Sequence, residues 1–99
     1  MTRGRVVVLA LSGWVVWVHT FDPRTTAKFS WEIDSSHPTY EACVGYLKEH
    51  RTRVGKERGS QVEFTERPGV LRVDDTKWKT IITAYCLPGE LDPRDKVGK

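Results

Sequence analysis

The sequence predicts an α+β fold: one antiparallel β-sheet of about four to five strands, in the chain order β-β-α-β-β-β, with a single amphipathic helix on one face. Three observations carry this. Phe29, Trp31 and Ile33 alternate with Lys28, Ser30, Glu32 and Asp34, the period of two of a half-wet strand. Tyr40, Cys43, Val44, Leu47 and Val54 lie on one helical stripe. Between Val62 and Pro88, three short apolar runs are separated by Pro-Gly and Asp-Asp-Thr, which are turn chemistry.

The elements follow in order. Trp14–Phe21 is a continuous run of β-branched and aromatic residues, as in a strand covered on both faces. Asp22-Pro23 turns the chain into the alternating strand, so these two strands form a hairpin. Ser35-Ser36-His37-Pro38 opens the helix, with Ser36 as its cap and Pro38 in the first turn, and Gly55 or Gly59 ends it. Val62 and Phe64 mark the next strand, Arg67-Pro68-Gly69 a type II turn, and Val70–Val73 the return. Lys77–Cys86 is a long last strand with Trp78, Thr80, Ile82, Ala84 and Cys86 on one face, broken by Leu87-Pro88-Gly89. A chain of 99 residues holds one core, assigned to residues 13–88, with residues 89–99 a charged surface tail.

The first twelve residues have the layout of a shortened secretory signal. Arg3 and Arg5 precede the apolar run Val6–Leu11, and Ala10 and Ser12 stand where a signal peptidase needs small side chains. The competing reading makes Val6–Phe21 one or two buried strands. The apolar stretch Val6–Val18 is shorter than the ~20 residues that cross a bilayer, so no membrane span is expected. An exported chain would be periplasmic or secreted; otherwise it is cytoplasmic.

Net charge is +3, but setting aside Arg3 and Arg5 leaves fourteen Lys and Arg against thirteen Asp and Glu. That balance argues against a dedicated nucleic-acid binder. The basic half of the helix, Lys48, Arg51, Arg53, Lys56 and Arg58, still offers an anion- or nucleic-acid-binding face, against which stands a solvated helix surface diluted by Glu49 and Glu57. His19, His37 and His50 are the general-base candidates, and none has a Ser, Cys or carboxylate partner at a known motif spacing. Trp14, Trp17, Trp31 and Trp78 are assigned to the core, and two of them exposed side by side would make a carbohydrate or peptide site. Two Cys and three scattered His give no metal-ligand spacing, and no phosphate loop or nucleophile elbow is present. No catalytic residue, metal or cofactor is expected; a protein or small-ligand partner fits better.

Cys43 lies on the apolar stripe, and Cys86 ends the last strand on the Trp78/Ile82 face; if the helix packs on that face, the two can meet. They are either one disulfide or two buried thiols. Trp14-Val15-Val16-Trp17, the single helical Cys43 and the run Cys86-Leu87-Pro88-Gly89-Glu90-Leu91-Asp92-Pro93-Arg94 together resemble a loose group of small exported bacterial proteins with no assigned activity. Those proteins share a W-x-x-W start of the mature chain, one helical Cys and a C-L-P-x-x-x-D-P-R ending, and the likeness covers most of residues 14–94. The resemblance implies export and a bonded Cys43–Cys86 pair. The expected protein is therefore a small exported, disulfide-stapled binding or structural domain, with an intracellular nucleic-acid-binding module as the alternative.

Overall fold

A computed structural model describes residues 13–25 and 29–94. The signal assigned to residues 1–12 lies outside the described residues, as does the end of the tail, residues 95–99. Trp14–Phe21 forms β1 and Phe29–His37 forms β2. Helix α1 spans Tyr40–Arg58 and runs into a 3-10 turn, Gly59–Gln61. Val62–Arg67, Val70–Asp75 and Thr80–Pro88 are β3, β4 and β5. The five strands make one sheet in the order β2-β1-β5-β4-β3, every neighbouring pair antiparallel. The α+β class and the chain order of elements are as the sequence predicts.

Because β2 and β3 are the two edge strands, α1 must carry the chain across the three strands between them. It does so on one face. Trp14, Val16 and Val18 of β1 project to that face, as do their partners Cys86 and Ala84 on β5 and Leu71 and Val73 on β4. Val16, Leu71, Val73, Ala84 and Cys86 form the buried core with Cys43 and Leu47 of α1 and Val62 of β3; Trp14, Val18, Tyr40, Val44, Val54 and Phe64 close its margin. The disulfide joins Cys43 to Cys86 across this layer, with Cα atoms 6.1 Å apart. It ties the middle of the sheet to the first half of the helix.

The helix begins later than the sequence suggests. Ser35, Ser36 and His37 pair with Val16, Val15 and Trp14, so β2 continues through the segment assigned to the helix opening. The cap is Thr39, whose extended backbone (φ −133, ψ 162) lets Oγ1 accept from the Ala42 amide at 3.1 Å. Ladder bonds offered by the long neighbour β1 outcompete the local cap that Ser36 would have made. Gly59, at φ 56, ends the helix with its N–H on Gly55 O.

The last strand also starts later. Trp78 was expected inside it, but Lys77–Lys79 form the β4–β5 turn and leave Trp78 45% exposed at its tip. Asp75 is the cause. Its carboxylate, only 3% exposed, accepts the Lys77 and Trp78 amides at 3.0 Å each, while its carbonyl accepts from Lys79 N. Arg58 and Gln61 bind the same carboxylate at 2.7 Å and 3.0 Å, so one buried acid fixes both the end of α1 and the turn. Burial alone would raise its pKa; the Trp78 amide, Gln61, the Lys77 amide and Arg58 outweigh that and hold it below 3.8.

Residues 89–94, assigned to the surface tail, instead fold back onto the sheet. Gly89 N–H donates to Gly13 O at 2.7 Å, Pro93 is buried, and the Arg94 guanidinium lies 5.0 Å from the Trp17 ring. Asp92 holds Arg94 in place with a two-pronged contact.

Candidate functional site

The apolar stripe of α1 has a gap. Tyr40, Cys43, Val44 and Leu47 follow one another at helical spacing, but the next inward turn holds His50 and Arg51 before Val54 resumes. Beneath that gap the sheet contributes Val16, Val18, Leu71, Val73, Ile82 and Ala84. A cleft of about 210 Å³ results between α1 and the sheet, with Leu47 at one side and Asp34, Tyr46 and His50 at its polar mouth. Apart from the mouth, the lining offers a water little to hydrogen-bond. Such a space is suited to an apolar guest.

The mouth is built by a β-bulge. Val16 pairs with Ser35 and Trp17 with Ile33, leaving Asp34 as the extra residue of β2. The bulge turns Asp34 to the helix side, where Tyr46 Oη donates to its Oδ2. That bond, with burial and the negative charge of Asp34, pushes the Tyr46 pKa up, so the phenol stays protonated. Oδ1 of Asp34 has no hydrogen bond among the described residues. His50 stacks on Tyr46 at 6.2 Å, and its Nδ1 lies 3.2 Å from Arg53 Nη2. Arg has only donors, so Nδ1 is the acceptor in this contact. The mouth thus presents the Asp34 carboxylate, bonded through one oxygen to Tyr46, beside the His50 ring.

His37 also borders this corner, its ring 5.0 Å from Tyr46 and its Nε2 2.9 Å from Ser35 Oγ. A serine nucleophile needs a third group to orient the imidazole. No carboxylate bonds the other nitrogen of His37 among the described residues, because the adjacent Asp34 is turned to Tyr46. His19 lies on the opposite face of the sheet, between the rings of Phe29 and Trp31 at 5.6 Å and 4.6 Å. The three histidines are therefore divided between the two faces.

That opposite face carries aromatic rings. Trp17 is buried and Trp31 half-buried, with centroids 6.4 Å apart, and Tyr85 lies 5.6 Å from Trp31. The exposed side chains of this face are Phe29 (63%) and the aliphatic Ile33 (46%), not two tryptophans. A shallow hollow there is lined by His19, Phe29, Ser30, Trp31 and Arg94.

Of the five helix cations singled out in the sequence, three have intramolecular partners. Arg51 pairs with Glu66 and lies over Phe64, Arg53 reaches His50, and Arg58 holds Asp75. Lys48 and Lys56 are exposed. Cys43 and Cys86 are joined as the staple. Among the described residues no three His, Cys, Asp or Glu converge as metal ligands, and no helix is long and apolar enough to cross a membrane.

Sequence inspection missed Asp34 and Tyr46. The gap in the stripe at His50–Arg51 was the signal that could have found the cleft. Comparison of the chain with known protein families, with curated proteins and with solved structures finds no match.

Proposed function

We propose that this protein is an exported, non-enzymatic binding domain, stapled by Cys43–Cys86, whose ligand lodges in the cleft between α1 and the sheet. The cleft carries the reading: an apolar lining with a few convergent polar groups at one end is the usual character of a small-ligand site. The bond across the helix–sheet layer supports export, because such bonds persist in oxidising compartments. The Ser35–His37 pair lacks an orienting acid, which favours binding over hydrolysis. The nucleic-acid reading ranks lower, since Arg51, Arg53 and Arg58 already have partners within the fold.

Intact mass after expression of the full gene in a bacterium, with and without alkylation before reduction, tests the export half. Loss of residues 1–12 with two unreactive cysteines is the expected result. An intact leader with two alkylated thiols would place the chain in the cytosol and bring the nucleic-acid reading forward.

A further inference from the structure

The two edges of the sheet are built differently. β3 turns Glu63, Thr65 and Arg67, all exposed, to the face away from the helix, and on its other side Glu66 is paired with Arg51 of α1. Charged side chains of this kind keep an edge strand from pairing with a neighbour. On β2 the open face carries Phe29, Trp31 and Ile33 instead, and the one charge within that stretch, Glu32, points to the other side of the strand. Phe29 (63%) and Ile33 (46%) are two of the three large apolar side chains left exposed among the described residues. Such an edge presents unpaired backbone groups beside an apolar row, which is a template for one more strand.

The strand itself selects the partner. Its pairing with β1 is regular from Phe29 to Ile33 and breaks at the Asp34 bulge, which bends the strand, so the straight edge is five residues with Trp31 at the centre. Opposite residues of an antiparallel pair point to the same face, so a two-fold axis relating two β2 strands passes through a residue and never between two. An axis at Glu32 sets two carboxylates directly opposite, which is destabilising. An axis at Ser30 matches only Phe29 with Trp31 within the straight edge. An axis at Trp31 uses all of it: Trp31 meets Trp31 of the second copy, Phe29 meets Ile33, and the Ser30 hydroxyl meets the Glu32 carboxylate on the other face. Pairing β2 with the β3 edge of another copy would lay the apolar row beside Glu63, Thr65 and Arg67 and would run on into a filament. We propose that two copies of this chain dimerise by antiparallel pairing of their β2 edges, Phe29–Ile33 against itself about a two-fold axis at Trp31, joining two five-stranded sheets into one. Five residues a side fall well short of the ~20–30 of a standard interface, so the dimer is of the weak, concentration-dependent class.

The test is sedimentation equilibrium of the full, oxidised chain at pH 7 from about 10 μM to about 1 mM, where mass action brings out a weak dimer. The average mass is expected to rise from one chain to two and to stop there. Ile33→Lys sets a cation against Phe29 of the second copy and is expected to weaken association about tenfold; Phe29→Lys replaces it if circular dichroism shows that Ile33→Lys has not folded. Ser30→Lys tests the register, since opposite Glu32 it adds two ion pairs per dimer and is expected to tighten association about fivefold. Thr65→Lys, on the β3 edge, is expected to change nothing. A single-chain mass at every concentration, or association kept by a folded Ile33→Lys or Phe29→Lys variant or lost equally in Thr65→Lys, would overturn the β2 interface. Weaker association of Ser30→Lys would overturn the axis at Trp31, and a mass that climbs beyond two chains would overturn the closed dimer.

Discussion

Replacing both cysteines, Cys43→Ala with Cys86→Ala, removes the one covalent link between α1 and the sheet. The bond closes a loop with a sequence separation of 43 residues. By chain entropy, opening such a loop in the unfolded state costs the protein about 4 kcal/mol of stability. Marginal stabilities of small domains lie at ~5–15 kcal/mol, so the loss is a large share of the total. It translates into a fall in Tm of roughly 15–30 °C for a domain of this size. Both cysteines are buried in the core, so truncation to Ala also leaves a small void, which adds to the loss. The assay is urea and thermal unfolding of the oxidised protein and the double variant, followed by tryptophan fluorescence. Because both sulfurs are inside, reductant added to the native protein should act only as fast as the fold opens. A loss below about 1 kcal/mol would refute the reasoning, since no loop of this length can be released so cheaply under the entropic account.

Gly69 sits at φ 72 in the β3–β4 turn, and a Cβ there would lie 2.9 Å from Tyr40 Oη; Gly69→Ala should destabilise by about 2 kcal/mol in urea unfolding, through both backbone and contact. Lys79 holds φ 63 without a glycine's freedom, so Lys79→Gly should stabilise by about 0.5–1 kcal/mol in the same assay. Asp75 has a folded pKa below its ordinary 3.8, so its stabilising effect is full above that value and is lost as pH falls through the folded pKa. Acid titration of stability should therefore be steeper below about pH 4 in the native protein than in Asp75→Asn, which starts less stable at neutral pH; parallel curves would remove Asp75 from that role.

What could be read in advance was what local pattern dictates. The alternation of Phe29, Trp31 and Ile33 marked β2 as a strand, and the Tyr40–Leu47 stripe put Cys43 against the sheet; which side of β2 the helix covers was not legible, for Phe29 (63%) and Ile33 (46%) lie exposed on the face away from it. Competition between local and non-local bonding was not legible. Ser36 is a good cap in isolation, yet strand pairing with Val15 claimed it. Trp78 fits the period of β5, but the buried Asp75 gathers its amide into a turn. Pro93 and Arg94 look like a polar tail until Trp17 supplies a surface for the guanidinium. The cleft was harder still. Its polar groups sit on two elements, Asp34 and Tyr46 twelve residues apart, and a bulge that no residue type announces brings them together. Its volume depends on how far a helix with one polar turn stands off a sheet, which only the packed structure determines.

The most direct measurement is a methyl-resolved NMR titration of the full, oxidised protein with n-octanol. Shifts centred on the methyl groups of Val18, Val73, Ile82 and Ala84, saturating with ligand, are the expected result. Shifts centred on Ile33 and the open aromatic face, or none up to the solubility limit, would contradict the cleft as the binding site.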